Sequence, residues 1–315
     1  MGKYRLRLPQ LSNELFISDA GLETWLIFQK GMGLPQFAAF VLLNTEAGIQ
    51  VLSEYYRKYI AIAIKHEVGI ILESPTWRAS SRWAQLLGYS DESLKQANGK
   101  AINLLLVLRE EYETGSSSCV ISGCIGPKGD GYVVSDKMPI DAAEQYHSVQ
   151  IKTFSDTQVD LVTAFTLGYV QEAIGMVRAA RKANLPIVIG FTLETDGNLP
   201  SGQSMEDAIY AVDEATDHYV SYYMINCAHP SHFQEKLKVA GPWSRRIHAV
   251  RANASSKSHT ELDEAAELDD GDPLELAKQY GQLKSILPNL NVLGGCCGTD
   301  ERHMEAICHA FMIKK

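Results

Sequence analysis

The sequence has no long hydrophobic run and no excess of basic residues, and these absences remove several classes of function. No apolar stretch approaches the roughly 20 residues that a helix needs to cross a bilayer. Residues 1–14 are basic but lack the apolar core of a signal peptide. The formal charge of −9 argues against a nucleic-acid surface, because phosphate backbones are bound by clustered Lys and Arg. We therefore expect a cytoplasmic protein that binds neither membranes nor nucleic acid.

Most of the negative charge lies in one segment. Residues 261–272 read ELDEAAELDDGD and contain no base. Charge runs seldom pack, so this segment is predicted to be a solvated loop, with a cation site or an acidic gate as the alternative. The net charge thus carries little information about function.

Cysteine is also scarce, which excludes a disulfide-stapled scaffold. Six cysteines are spread over 315 residues, and two of them are adjacent. Nothing marks the chain for export, so all six are expected to be reduced thiols. They are Cys119, Cys124, Cys227, Cys296, Cys297 and Cys308.

An alternation of strand-like and helix-like segments is present along the whole chain. Eight short β-branched runs lie at 15–21, 69–77, 119–127, 159–165, 186–193, 222–229, 246–254 and 290–297. Longer segments with helical spacing separate them, among them 45–67, 91–113, 170–184 and 272–287. Such alternation predicts parallel strands with helical crossovers. Eight units and the lack of a dinucleotide fingerprint favour one closed eightfold β/α (TIM) barrel domain over residues 1–315, rather than an open doubly wound sheet.

A barrel of this kind places its chemistry at the carboxyl ends of the strands. Chemically distinctive residues do follow the predicted strands. They are Asp19 after the first, Glu73 and Thr76 after the second, Cys227 after the sixth, Asn253 after the seventh, and Cys296 with Cys297 after the eighth.

The three strand-end cysteines are candidates for a metal site. The sixth and eighth strands of a barrel are separated by one strand, so Cys227 can meet Cys296 and Cys297. Zinc takes tetrahedral sulfur ligands, and three protein ligands leave a position for a substrate. The glycines of GGCCG would let both adjacent cysteines turn inward. From spacing alone, buried structural thiols remain an equal alternative. His229 is either a fourth ligand or a helix-capping residue.

Four motifs give the chain a resemblance to a known family. They are SDAGLET at 18–24, SGCIGPKGDGY at 122–132, MINCAHP at 224–230 and VLGGCCGT at 292–299. In combination they resemble the homocysteine S-methyltransferase family. The resemblance implies a zinc-bearing barrel that transfers a methyl group from a sulfonium or ammonium donor to homocysteine, giving methionine. It also implies that Cys227, Cys296 and Cys297 are the zinc ligands and the catalytic residues.

The same resemblance suggests roles for residues around the metal. Asp19 would hold the substrate ammonium, and Gly21 would leave room for close backbone approach. Asn226 and Asn253 would orient ligands or substrate. Trp77 is the best candidate for contact with the donor cation. Each has an ordinary structural alternative: a turn-forming Asp, capping Asn residues and a packed Trp.

Two departures from the family pattern bear on the acceptor. Ala20 stands where the family usually has glycine, which is a mild change. More seriously, Phe165 and Thr166 occupy the region after the fourth strand where many members carry a glutamate that contacts the amine. Three acids are candidates to replace it, each with a solvated acid as the alternative: Glu23, Glu73 and Glu194, the last two favoured because they lie at strand ends.

Other functions remain open at this stage. The acceptor could be a different thiol, the zinc could activate water for hydrolysis, or the barrel could bind zinc or thiols without catalysis. All-thiolate ligation favours thiol chemistry over hydrolysis. The methyl donor and the oligomeric state are left undetermined by the sequence.

Overall fold

Eight parallel strands close into a barrel in chain order, as predicted. The computed structural model describes residues 1–239, 241–263, 265 and 267–312. Each strand falls within or overlaps one predicted run, the fourth extending beyond its run to Leu167. The strands are β1 (Phe16–Ser18), β2 (Gly69–Glu73), β3 (Cys119–Ile125), β4 (Leu161–Leu167), β5 (Ile187–Phe191), β6 (Tyr222–Asn226), β7 (Ile247–Ala252) and β8 (Val292–Gly295).

Helices cover the outside of the barrel. Those in the described part of the chain are α1 (Leu22–Thr24), α2 (Glu46–Lys65), α3 (Ser81–Leu86), α4 (Asp91–Tyr112), α5 (Ile140–Ser155), α6 (Val170–Lys182), α7 (Met205–Ala215), α8 (Pro230–Leu237), α9 (His259–Asp263), α10 (Pro273–Ile286) and α11 (Glu301–Met312). Short 3₁₀ turns at Pro9–Leu11, Pro35–Phe37, Ala39–Asn44 and Pro242–Arg246, and a π-helical turn at Trp25–Gln29, complete the helical segments described. None of the helices described is long and apolar enough to span a bilayer.

Helix starts follow the local chemistry that the sequence predicts. Asp272 caps α10, where its Oδ1 accepts hydrogen bonds from the backbone N–H groups of Leu274 at 2.8 Å and Glu275 at 3.3 Å. Pro273 occupies the first turn, where its missing N–H costs nothing. Thr45 caps α2 in the same way, since its Oγ1 accepts from Gly48 N at 3.1 Å.

The barrel interior is filled at its lower end and closed by the N-terminal segment. Phe16, Leu161 and Val292, at the starts of their strands, pack against Leu8. Below them Asp160 accepts hydrogen bonds from Tyr4 N at 2.7 Å, Ile121 N at 2.9 Å and the Arg109 guanidinium at 2.7 Å. This end is therefore sealed, and access is from the carboxyl ends of the strands.

The acidic segment is only partly the solvated loop that was expected. Helix α9 runs into it, and Asp269 contacts Ser255 Oγ at 2.8 Å and Lys257 Nζ at 3.1 Å. Asp270 pairs with Arg302 at 2.7 Å. Glu264 and Ala266 lie outside the described residues. The segment packs beside the barrel mouth because its charges find partners there.

Candidate active site

The three candidate cysteines meet at the mouth of the barrel. Cys227 follows β6, and Cys296 with Cys297 follows β8, with β7 between them. Their three Sγ atoms lie within 4.8 Å of one another. The predicted convergence is thus confirmed, because parallel strands deliver their carboxyl ends to one rim.

Backbone hydrogen bonds to β7 hold this arrangement. Cys227 N donates to Arg251 O at 3.0 Å, and Cys296 N donates to Ala252 O at 2.8 Å. Cys227 has a φ of +52°, a left-handed conformation that is uncommon for a residue other than glycine. Such conformations persist only where the surroundings enforce them, and they cluster at functional sites.

The glycines around Cys296 and Cys297 act in a different way from the one expected. Only Gly298 has a positive φ, at +79°. A Cβ at Gly294 would collide with Ser18 Oγ, and one at Gly295 would collide with Thr299 Oγ1. Two of the three glycines therefore serve close packing, while β8 ends at Gly295 and leaves both cysteines in the following turn.

The expectation that all six cysteines are reduced is wrong for two of them in this structure. Cys227 and Cys296 form a disulfide, with their Cα atoms 5.4 Å apart. That separation lies within the usual range for a disulfide. The two cysteines are 69 positions apart in sequence, so their contact depends on barrel closure. Cys297 lies outside this disulfide.

The sulfur cluster fits a metal once the disulfide is reduced. Tetrahedral zinc with sulfur at about 2.3 Å places its ligands about 3.8 Å apart. Sulfurs within 4.8 Å of one another reach that arrangement with small movements. His229 takes the capping alternative, since its Nδ1 accepts from Ser231 N at 3.3 Å at the start of α8. Among the described residues, the candidate ligand cluster thus consists of three cysteines, which become thiolates after reduction, and includes no histidine.

A pocket inside the barrel mouth borders all three cysteines. Asp19 lines it, and its Oδ1 is 2.6 Å from Arg251 NH1, while Tyr55 OH donates to its Oδ2 at 3.2 Å. Both partners of this ion pair are buried. Burial raises the pKa of Asp19 above its ordinary value, and the Arg251 guanidinium opposes that rise. We call this cavity the inner pocket.

Two further acids line the inner pocket. Glu73, the last residue of β2, is 7% exposed, and its Oε2 has no hydrogen-bond partner among the described residues. Burial raises the pKa of Glu73 to about 7, and the pKa of Glu23 to about 7. Of these two acids, Glu73 is the one with a buried carboxyl oxygen that lacks a partner among the described residues.

Phe165 and Thr166 lie within β4, at a bulge, and also line the inner pocket. The Arg251 guanidinium stands 5.1 Å from the centre of the Phe165 ring. Thr166 has a φ of +60°. Two hydrogen bonds join it to Asn226: Asn226 Oδ1 accepts from Thr166 N at 3.0 Å, and the Asn226 side-chain amide donates to Thr166 Oγ1 at 2.9 Å. Thr166 Oγ1 lies 3.8 Å from Cys227 Sγ. Asn226 therefore fixes the position of Thr166 beside Cys227, a candidate metal ligand.

A second cavity, which we call the outer pocket, adjoins the first. The two share Thr24, Phe37, Trp77, Tyr132 and Cys297. The buried atoms Trp77 Nε1 and Asn253 Oδ1, from residues that line the outer pocket, lack hydrogen-bond partners in the described chain. The Arg78 guanidinium, also on this pocket, stacks between Trp77 at 4.0 Å and Trp83 at 3.8 Å. Two connected cavities thus meet at Cys297.

Comparison with known proteins identifies the family. The sequence profile described as Homocysteine S-methyltransferase matches residues 16–311, nearly the whole chain. The chain belongs to the homocysteine S-methyltransferase family. It is therefore a methyltransferase, as the motifs indicated. No curated protein sequence matches the chain significantly.

Solved structures share the fold of this methyltransferase. The oxidized form of the homocysteine methyltransferase MmuM from Escherichia coli is 18% identical, with 98% of both chains covered and a TM-score of 0.74. The metallated form of the same protein is 17% identical, with 97% of this chain and 99% of that chain covered and a TM-score of 0.73. At such low identity the likeness establishes the barrel fold.

The other predicted site residues of this family member fall into two groups. Gly21 lies in the inner pocket, where a Cβ would collide with the Cys296 carbonyl oxygen, so the close approach expected there is present. Thr76 and Glu194 lie outside both pockets. Thr76 Oγ1 donates to Cys124 O at 2.7 Å and so ties β2 to β3. Their roles as substrate contacts remain predictions without support from this geometry.

Sequence reasoning missed several residues of this methyltransferase site. Arg251 and Tyr55 hold Asp19, Tyr132 borders both pockets, and Thr166 contacts Cys227. Cys124 also lines the inner pocket. The arginine at the end of a buried strand was a signal that could have been used, because an arginine is rarely buried unless it is paired.

Proposed function

We propose that the protein transfers a methyl group to the thiolate of homocysteine and so forms methionine. The observation that carries this proposal is the convergence of Cys227, Cys296 and Cys297 beside a pocket lined with charged groups. Family membership supports thiol methylation as the reaction class. These three cysteines, after reduction, would hold one zinc ion.

Zinc, when bound, would keep the acceptor thiol deprotonated at neutral pH, where a thiol with a pKa near 8.5 is mostly protonated. The chain's own residues do the rest. Asn226 and Thr166 position Cys227, and Gly21 lets the backbone close against Cys296. The reduced ligands require a reducing compartment, which fits the expected cytoplasmic location.

The two connected pockets suit two substrates. The acceptor would occupy the inner pocket, and the methyl donor would enter through the outer pocket, where Trp77 presents an aromatic face to a sulfonium or ammonium group. The acceptor sulfur forms a bond to the methyl carbon while the bond from that carbon to the donor breaks. The electron pair stays on the donor, which leaves without its positive charge. Asn253, on the outer pocket, would orient the donor.

The test uses reduced, zinc-loaded protein with homocysteine and a panel of donors. The panel contains S-methylmethionine, S-adenosylmethionine, betaine, a methylated folate and dimethylsulfoniopropionate. We expect methionine from at least one donor. Protein that binds about one zinc yet forms no methionine with any donor would contradict the proposal.

A ligand variant separates the metal assignment from the rest. Cys297→Ser should lose zinc and activity together, because an alcohol is a poor zinc ligand at neutral pH. Cys308→Ser is the matched control, since Cys308 is buried in α11 and lines neither pocket. A Cys297→Ser variant that retains both zinc and activity would overturn the assignment.

A further inference from the structure

The inner pocket contains one carboxyl group whose interactions are incomplete. Glu73 is more than nine-tenths buried, and its Oε2 has no partner among the described residues. Hydroxyl groups of Ser122 and Thr163 approach the carboxyl group from the neighbouring strands β3 and β4. Leaving a buried polar atom unpaired is unfavourable, and it is more unfavourable for a charged group. A ligand group that donates a hydrogen bond to Glu73 Oε2 would remove this penalty.

Asp19 is less able to accept a new partner. Its Oδ1 is ion-paired with Arg251 and its Oδ2 accepts from Tyr55. The same guanidinium donates to Ser18 Oγ at 3.0 Å, Gly295 O at 3.0 Å and Ala20 O at 3.2 Å. Four of its five N–H groups are thereby engaged within the fold. Breaking such a buried pair is expensive, so Asp19 and Arg251 act as a structural unit of the pocket floor.

We propose that Glu73 binds the ammonium group of the acceptor and thereby selects thiols that carry a primary amine. This inference rests on the proposed function, and it adds the group that determines acceptor choice. An ammonium has three N–H donors, and Oε2 of Glu73 supplies the acceptor atom that the pocket leaves unpaired. The apolar walls at Leu22, Pro75 and Phe165 accommodate the methylene groups between the amine and the sulfur.

Electrostatics make this selection strong. Glu73 stands in a pocket that already contains a neutralised pair, so an ionised Glu73 adds an uncompensated negative charge. A cationic acceptor neutralises that charge, whereas an acceptor without an amine leaves it buried and unpaired. Discrimination therefore comes from the penalty on the wrong acceptor as well as from attraction to the right one.

The experiment compares three acceptors. They are homocysteine, 4-mercaptobutanoic acid, which lacks the amino group, and 3-mercaptopropylamine, which lacks the carboxyl group. In the native protein we expect kcat/KM for the desamino acid to be about 10–100-fold lower than for homocysteine, since a charge-assisted hydrogen bond contributes roughly 1.5–3 kcal/mol. 3-Mercaptopropylamine should keep the favourable contact between its ammonium group and Glu73.

The substitution Glu73→Gln tests the residue itself. It should lower kcat/KM for homocysteine, chiefly through KM, and should raise kcat/KM for the desamino acid because the unpaired charge is gone, so that the two values converge. Glu194→Gln is the matched comparison, because Glu194 also follows a strand, β5, but lies outside both pockets. It should retain the native preference for homocysteine.

Two outcomes would overturn the inference. One is native protein that uses or binds the desamino acid as well as homocysteine, a result that needs no variant. The other is a folded Glu73→Gln protein that loses the same factor with every acceptor, which would indicate a structural role.

Calorimetric binding of the same acceptors to zinc-loaded protein is the second readout. If no donor yields methionine, the proposed function fails, yet the difference in binding between homocysteine and the desamino acid still decides the role of Glu73.

Discussion

Two buried carboxyl groups at opposite ends of the barrel differ in how completely their hydrogen bonds are made. Asp160, before β4 at the sealed end, accepts from two backbone N–H groups and from Arg109. Glu73, at the end of β2 in the mouth, keeps an oxygen without a partner in the described chain. Buried polar groups are normally satisfied, so an incomplete one marks either strain or a missing ligand. The comparison assigns stability to the sealed end and substrate recognition to the mouth.

Removal of the metal should give the largest difference between the roles of the two ends of the barrel. Chelation of zinc from reduced protein is expected to abolish methionine formation, because the acceptor thiol then stays mostly protonated. The secondary structure should persist, since the base of the barrel is held by apolar packing and by Asp160. Activity and circular dichroism measured on the same sample check this. Collapse of the fold on chelation would instead give the cysteines a structural role.

The opposite result is expected for Asp160→Asn. This change breaks the buried pair with Arg109 and should lower the free energy of unfolding by about 3–5 kcal/mol. The KM for homocysteine of the folded protein should remain at its native value. Denaturant titration combined with steady-state kinetics measures both quantities. A large shift in KM would show that the two ends are coupled.

Because of Glu73, the free energy of unfolding should depend on pH. Burial raises its pKa to about 7 from 4.5, against the opposing charge of Arg251 and the hydroxyls of Ser122 and Thr163. A carboxyl group with a raised pKa favours folding while protonated, and this contribution is lost as pH rises through about 7. Relative to Glu73→Gln, the native protein should lose roughly 2–3 kcal/mol of unfolding free energy between about pH 4.5 and about pH 8.

Denaturant titrations across this range give the comparison. Equal pH dependence in the two proteins would show that Glu73 ionises normally. Contributions of groups that do not interact with Glu73 cancel in the difference, provided that the variant keeps the same fold.

The smallest expected effect is that of a substitution in the proposed binding site of the methyl donor. Trp77→Leu removes an aromatic face that both pockets share, while it keeps apolar bulk. A cation–π contact contributes about 0.5–2 kcal/mol, so KM for the methyl donor should rise roughly 2–30-fold. The KM for homocysteine should change less. Initial-rate kinetics with each substrate varied in turn will show whether the change falls on the donor.

Local patterns in the chain were sufficient to predict the scaffold. Strands, helix caps and motifs depend on residues that are neighbours in sequence. The start of α10 at Asp272 and Pro273 and the eight strands could therefore be placed from the sequence. The convergence of three cysteines also followed, because parallel strands of a barrel must share a rim.

Only the tertiary structure determined which of these residues have room for a new partner. Asp19 and Glu73 read alike as strand-end acids, but Arg251, over 200 residues away from Asp19 in sequence, engages one and leaves the other incomplete. The same closure brings Cys227 and Cys296 into bonding distance and places Thr76 and Glu194 outside both pockets. Sequence specifies the strand ends through local preference, whereas pairing among buried charges depends on distances that exist only after the barrel closes.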